Sequence, residues 1–107
     1  MSLDVYLEAM RPTEVYWANI THNLNRMADA AGIYGALWRP AENGFSKAAD
    51  IIKPLEAGLV DLKERPGYYE QFNATNGCGL YKHLVPFVEE YLEACKAHPD
   101  ARISASI

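Results

Sequence analysis

Asn19, His22 and Asn23 bring an imidazole and two carboxamides into one short segment. Imidazole is the side chain best suited to moving a proton near neutral pH. Carboxamides donate and accept at once, so they can orient a small ligand. The segment reads as the junction of a strand and a helix, where free N–H groups and the positive end of the helix dipole favour an anion. The same residue types also serve as ordinary caps, with Thr21 and Asn23 closing the first turn and His22 left exposed or bonded to backbone.

A second candidate is Trp38-Arg39-Pro40 with Glu42 and Asn43. Trp38 can wall a pocket, and Arg39 can fork onto a carboxylate or phosphate. The bland alternative is an aromatic packing pin beside a solvated arginine. A third is the run from Asn73 to Gly79, centred on Asn76-Gly77, whose glycines could let backbone amides approach a ligand. It lacks both the GxxxxGK[ST] and the GxGxxG patterns, and Asn-Gly commonly marks nothing more than a turn. The ligand-binding candidates are therefore Asn19, His22, Asn23, Trp38, Arg39 and Asn76, with His22 the best candidate for an acid or base.

Weaker features complete the search. His83 and Glu90 share a helix face but do not make a metal site, and no metal ligand set or cofactor motif is read. Glu89, Glu90 and Glu93 form an acidic patch that fits a basic partner or a solubilising face. Cys78 has no histidine partner in sequence, and Ser104 and Ser106 lack a nucleophile elbow.

The elements that would position these groups follow from pattern. Residues 3–10 alternate, with Leu3, Val5, Leu7 and Ala9 on one face, and residues 14–20 are β-branched and aromatic. They predict a hairpin turning at Arg11-Pro12-Thr13. Thr21 is then the cap of a short helix ending at Gly32. Residues 33–45 read as a loop with a helical turn, pinned by Ile33, Leu37 and Trp38. Ser46 caps a second helix over about 47–64, broken or kinked before Pro54, and Tyr68, Tyr69 and Phe72 form a further short turn. A third helix covers about 79–97 with Pro86 inside it, and its wide apolar surface makes it the central helix. Residues 102–107 alternate as a last strand. The expectation is one α+β domain over 1–107: an N-terminal β-hairpin plus a C-terminal strand forming a small sheet packed against about three helices.

Composition narrows the function classes. The 107 residues carry 10 Lys and Arg against 14 Asp and Glu, a net charge of −4. Without a basic stripe, direct nucleic-acid binding is disfavoured. No apolar run is long enough for a membrane span, and no signal peptide is read. Two cysteines without ligand spacing fit free thiols in the cytoplasm.

Two stretches and a turn give the chain a further likeness. Through Val15-Tyr16-Trp17-Ala18-Asn19-Ile20-Thr21-His22-Asn23-Leu24, Leu37-Trp38-Arg39-Pro40 and Asn76-Gly77-Cys78-Gly79, it resembles a set of small uncharacterised proteins of bacteria, phages and prophages. The resemblance covers nearly the whole chain. Relatives often carry tryptophan where Cys78 stands, so an aromatic contact of that turn is missing here. It implies a cytoplasmic, phage-associated protein and brings no reaction. The leading functional reading is a small binding or interaction protein whose partner is a protein or a small ligand, with self-association through its aromatic or edge-strand surface. The alternative is a small-ligand-binding domain or small enzyme using His22, which requires Asn19, His22 and Arg39 to converge on one concavity.

Overall fold

The computed structural model of the chain describes residues 2–9 and 14–107. Strand β1 (Ser2–Glu8) buries every second side chain, so Leu3, Val5 and Leu7 have no exposure at all. Their burial favours folding by roughly 1.5–3 kcal/mol each before chain entropy is counted. Strand β2 (Glu14–Thr21) pairs antiparallel with β1, setting Leu3 opposite Ile20, Val5 opposite Ala18 and Leu7 opposite Tyr16. The expected turn at Arg11-Pro12-Thr13 lies outside the described residues. The C-terminal strand β3 (Arg102–Ser106) pairs antiparallel with the other side of β1, giving the order β2-β1-β3. The opposed carboxylates Glu8 and Glu14 are eased from that side, where Arg102 donates to Glu8 at 2.7 Å.

The chain leaves β2 through a 3₁₀ turn, His22–Leu24, and enters helix α1 (Asn25–Ala30). Thr21 caps the turn, its hydroxyl accepting from the Asn23 N–H at 3.4 Å, so the regular helix starts later than the cap. Gly32, at φ +79°, ends the segment in the left-handed conformation that glycine adopts without penalty. The stretch read as a loop contains helix α2 (Tyr34–Trp38) and a 3₁₀ turn, Ala41–Asn43. Helix α3 (Ala48–Glu64) follows, then the short α4 (Pro66–Glu70) and the long α5 (Tyr81–Ala97). The fold is α+β, with the helices covering one face of the sheet.

Two local expectations are corrected. Ser46 does not cap α3: Lys47 holds the cap position, and the Asp50 carboxylate takes the backbone N–H groups of Ser46 and Lys47 at 2.9 and 3.0 Å. A carboxylate one turn into the helix satisfies the free donors and lies favourably in the dipole. Nor does Pro54 break α3, which runs unbroken to Glu64 as α5 does past Pro86. Each proline forfeits one backbone hydrogen bond, while Ile51, Leu55 and Leu62 on one helix and Leu84, Val88 and Tyr91 on the other remain packed in a common core.

Helix α3 meets the loop after α1 at Gly58. A Cβ there would lie 2.3 Å from Ile33 Cγ2 and 3.1 Å from the Ala31 carbonyl oxygen. Ile33 is fully buried and has nowhere to move. Gly58→Ala should therefore destabilise the protein by about 1–3 kcal/mol of overpacking, less about 1 kcal/mol regained in helix propensity, as read by urea unfolding.

Acid sensitivity follows from two carboxylates. The backbone bonds from Lys47 and Ser46 hold Asp50 below the ordinary value, and the Arg65 guanidinium, with the Tyr69 hydroxyl, does the same for Asp61. A depressed folded value gives stability that is present above the unfolded value of about 4 and is lost as pH falls through the folded one. Unfolding curves should be flat through neutral pH and move to lower denaturant below about pH 4, and Asp50→Asn with Asp61→Asn should reduce that slope.

Candidate functional site

The two halves of the chain meet where the His22–Leu24 turn docks on the loop between α4 and α5. Asn23 donates through its side chain to the Cys78 carbonyl at 2.9 Å. Gly79, at φ +109°, lies so close that a Cβ would stand 2.9 Å from Asn23 Cβ. The docking leaves a cleft of about 580 Å³, walled on one side by His22, Asn23, Asn25 and Arg26. Gln71, Phe72, Asn73, Thr75 and Asn76 form the opposite wall. Past Arg26 and Phe72 lies a second hollow of about 520 Å³, reaching Asp29 and Tyr34.

The chemistry of the cleft is that of carboxamides. Of the chain's seven Asn and Gln side chains, all but Asn19 and Asn43 line it. Several use one end of the amide to hold the fold. Asn73 Oδ1 accepts from the Tyr81 N–H at 2.6 Å, and Asn76 Oδ1 accepts from the Cys78 N–H at 2.9 Å. The opposite ends, Nδ2 of Asn73 and Asn76 and Oδ1 of Asn23, have no side-chain or backbone partner among the described residues. Arg26 is exposed and has no ion-pair partner among the described residues. In the Asn73–Gly79 turn the Ala74 N–H binds the Gly79 carbonyl, the Gly77 N–H binds that of Ala74 and the Cys78 N–H binds Asn76 Oδ1, while the N–H groups of Thr75, Asn76 and Gly79 have no partner among the described residues. The turn thus offers side-chain amides beside the main-chain amides that the sequence suggests.

His22 is held from both sides. The Trp38 indole N–H donates to its Nδ1 at 3.1 Å, and Nε2 lies 3.3 Å from the Asn25 side-chain amide. Indole can only donate, so Nδ1 must carry the lone pair and Nε2 the hydrogen; the atom facing it is Asn25 Nδ2, also a donor, so the Asn25 amide accepts that hydrogen once turned by 180° to bring Oδ1 to the ring. Trp38 is 1% exposed and stacks on Tyr34 at 5.5 Å, with the rings nearly parallel.

The structure therefore gathers His22, Asn23 and Asn76 around one cleft and sets Trp38 behind His22 as its support. Asn19 lies elsewhere, on the outer face of the sheet, bonded to Asp4 at 2.7 Å and Ser2 at 3.0 Å. Arg39 is exposed and paired with Glu42 at 3.6 Å. The guanidinium of the cleft is instead that of Arg26. Asn25, Arg26, Gln71 and Phe72 also line the cleft and are not among the residues the sequence singles out, and Asn73, which opens the candidate turn, contributes its side chain. Their signal was compositional, in two amide-rich stretches about fifty residues apart, Asn23 to Asn25 and Gln71 to Asn76. Of the thiols, Cys78 is exposed, while Cys95 is buried and pushed up to about 12 by that burial, which suppresses its thiolate. Comparison of the chain with family models, with curated proteins and with solved structures finds no match.

Removing the imidazole leaves the buried Trp38 N–H without its acceptor. His22→Ala should cost about 1–3 kcal/mol in urea unfolding, and His22→Gln, whose amide oxygen can still accept, should recover part of it.

Proposed function

We propose that this chain is a small ligand-binding protein of the cytoplasm, that it does no chemistry on its ligand, and that the ligand is small, oxygen-rich and anionic, of the sugar-acid or hydroxycarboxylate class. The carrying observation is the amide cleft itself, with Arg26 as its cation and the ends of Asn23, Asn73 and Asn76 left unpartnered. A guanidinium forks onto a carboxylate, amides satisfy hydroxyls in either sense, and the Phe72 ring gives an apolar surface for C–H groups. Support for binding over catalysis comes from His22, whose two ring nitrogens are both engaged within the protein. The enzyme alternative needed Arg39 and Asn19 beside it, and neither lines the cleft. Two unbridged cysteines support a reducing compartment, and the phage or prophage association rests on sequence resemblance.

The test is a ligand panel of sugars, sugar acids and hydroxycarboxylates read by ¹H–¹⁵N chemical-shift perturbation. Binders should move the side-chain amide signals of Asn23, Asn73 and Asn76 together. Arg26→Gln should weaken an acidic binder by about tenfold or more, the worth of a charge-assisted hydrogen bond, without lowering Tm. Perturbations centred away from these amides, or an affinity indifferent to Arg26, would overturn the reading.

A further inference from the structure

The sheet has two outer strands, and only one is protected. The start of β3 is covered on its free side by the segment before α3: Ile103 N–H donates to the Ser46 carbonyl at 3.0 Å, and Lys47 bridges to Arg102. Strand β2 pairs only with β1, and no other described segment pairs along its free edge. Its sequence, Glu-Val-Tyr-Trp-Ala-Asn-Ile-Thr, contains none of the lysines or prolines that usually blunt an edge. Trp17 stands on it 52% exposed, opposite Tyr6 on the outer face.

Beside this edge, α5 lines two hollows of unlike charge. The one next to Tyr16, Trp17 and Ala18 is bordered by Glu89, Glu90 and Glu93. The one next to Ala18–Thr21 is bordered by Lys82 and His83 as well as Glu90. Among the described residues Lys82 and Glu90 have no ion-pair partner.

We propose that β2 pairs antiparallel with β2 of a second copy of this chain, about a two-fold axis near Ala18, joining two three-stranded sheets into one. The charge order along α5 selects this occupant. A two-fold through the middle of β2 reverses the second copy's helix, so Glu93 at the far end of the acidic hollow faces Lys82 of the other copy, twice over, while Glu90, beside Ala18 in both hollows, stays next to the axis. Trp17 then meets the second copy's strand across the seam and loses its exposure, and the unpaired backbone groups of both edges are satisfied at once.

The experiment is sedimentation velocity from micromolar to near-millimolar protein. The parent should approach twice its 12.0 kDa mass as concentration rises. Trp17→Lys places a charge on an exposed position of the edge and should remain monomeric with an unchanged circular dichroism spectrum. Lys82→Glu should weaken dimerisation about tenfold, since the symmetry removes the attraction twice, and Lys82→Glu with Glu93→Lys should restore it. A parent that stays monomeric throughout, or a dimer indifferent to Trp17→Lys and to the charge exchange, would overturn the proposal. Binding of an unrelated extended peptide along β2 by a monomeric parent would do so as well.

Discussion

A single hydrogen bond, from the buried Trp38 indole to Nδ1 of the half-buried His22, governs how the candidate site is built. Trp38 is almost entirely enclosed, and its N–H cannot be left bare in the core without cost. The nearest acceptor is the imidazole on the turn that follows β2. Satisfying the indole therefore fixes the rotation and tautomer of His22. It also draws the His22–Leu24 turn onto α2, where Tyr34 stacks against the same indole. With that turn fixed, Asn23 reaches the Cys78 carbonyl and the distant loop closes over it. The cleft is the space left between two segments that a core contact has aligned.

This arrangement separates support from contact. Trp38 and Gly79 hold the walls in place, the first from within the core and the second by admitting the close approach of Asn23. The amides of Asn73 and Asn76 are each anchored at the oxygen, which leaves their nitrogens aligned at little further entropic loss. Arg26, the second residue of α1, supplies a positive charge to a surface whose overall balance is negative. Such preorganised donors suit an acceptor-rich ligand. An imidazole already committed at both nitrogens does not suit proton transfer.

The sheet and the long helices were legible because their burial pattern is written in period two or in helical period. Leu3, Val5 and Leu7 alternate, and the apolar positions of α5 recur at helical spacing. Helix α2 was harder to read, because its five residues are too few for a period and Gly35 sits within it. The sequence points to Ser46 as the cap of α3, but a side chain in the helix's first turn, Asp50, reaches back and takes the cap's place. The site was half legible. His22, Asn23 and Asn76 announce themselves by type and by turn position. Their partners Asn25 and Gln71 lie on a helix face and in a loop with no local mark of function, and a contact between residues 23 and 78 has no trace in either neighbourhood. Arg39 drew attention through its neighbour Trp38, whose importance is to the core.

The tautomer of His22 tests the account most directly. A long-range ¹H–¹⁵N correlation spectrum at neutral pH reads both ring nitrogens at once. The expected result is a single neutral tautomer, with Nε2 protonated and Nδ1 showing the shift of an unprotonated acceptor, together with slow solvent exchange of the Trp38 indole hydrogen. A protonated Nδ1, or rapid exchange between tautomers, would mean that the indole does not hold the ring. That result would contradict the structural role given to His22 and return it to the list of groups free for catalysis.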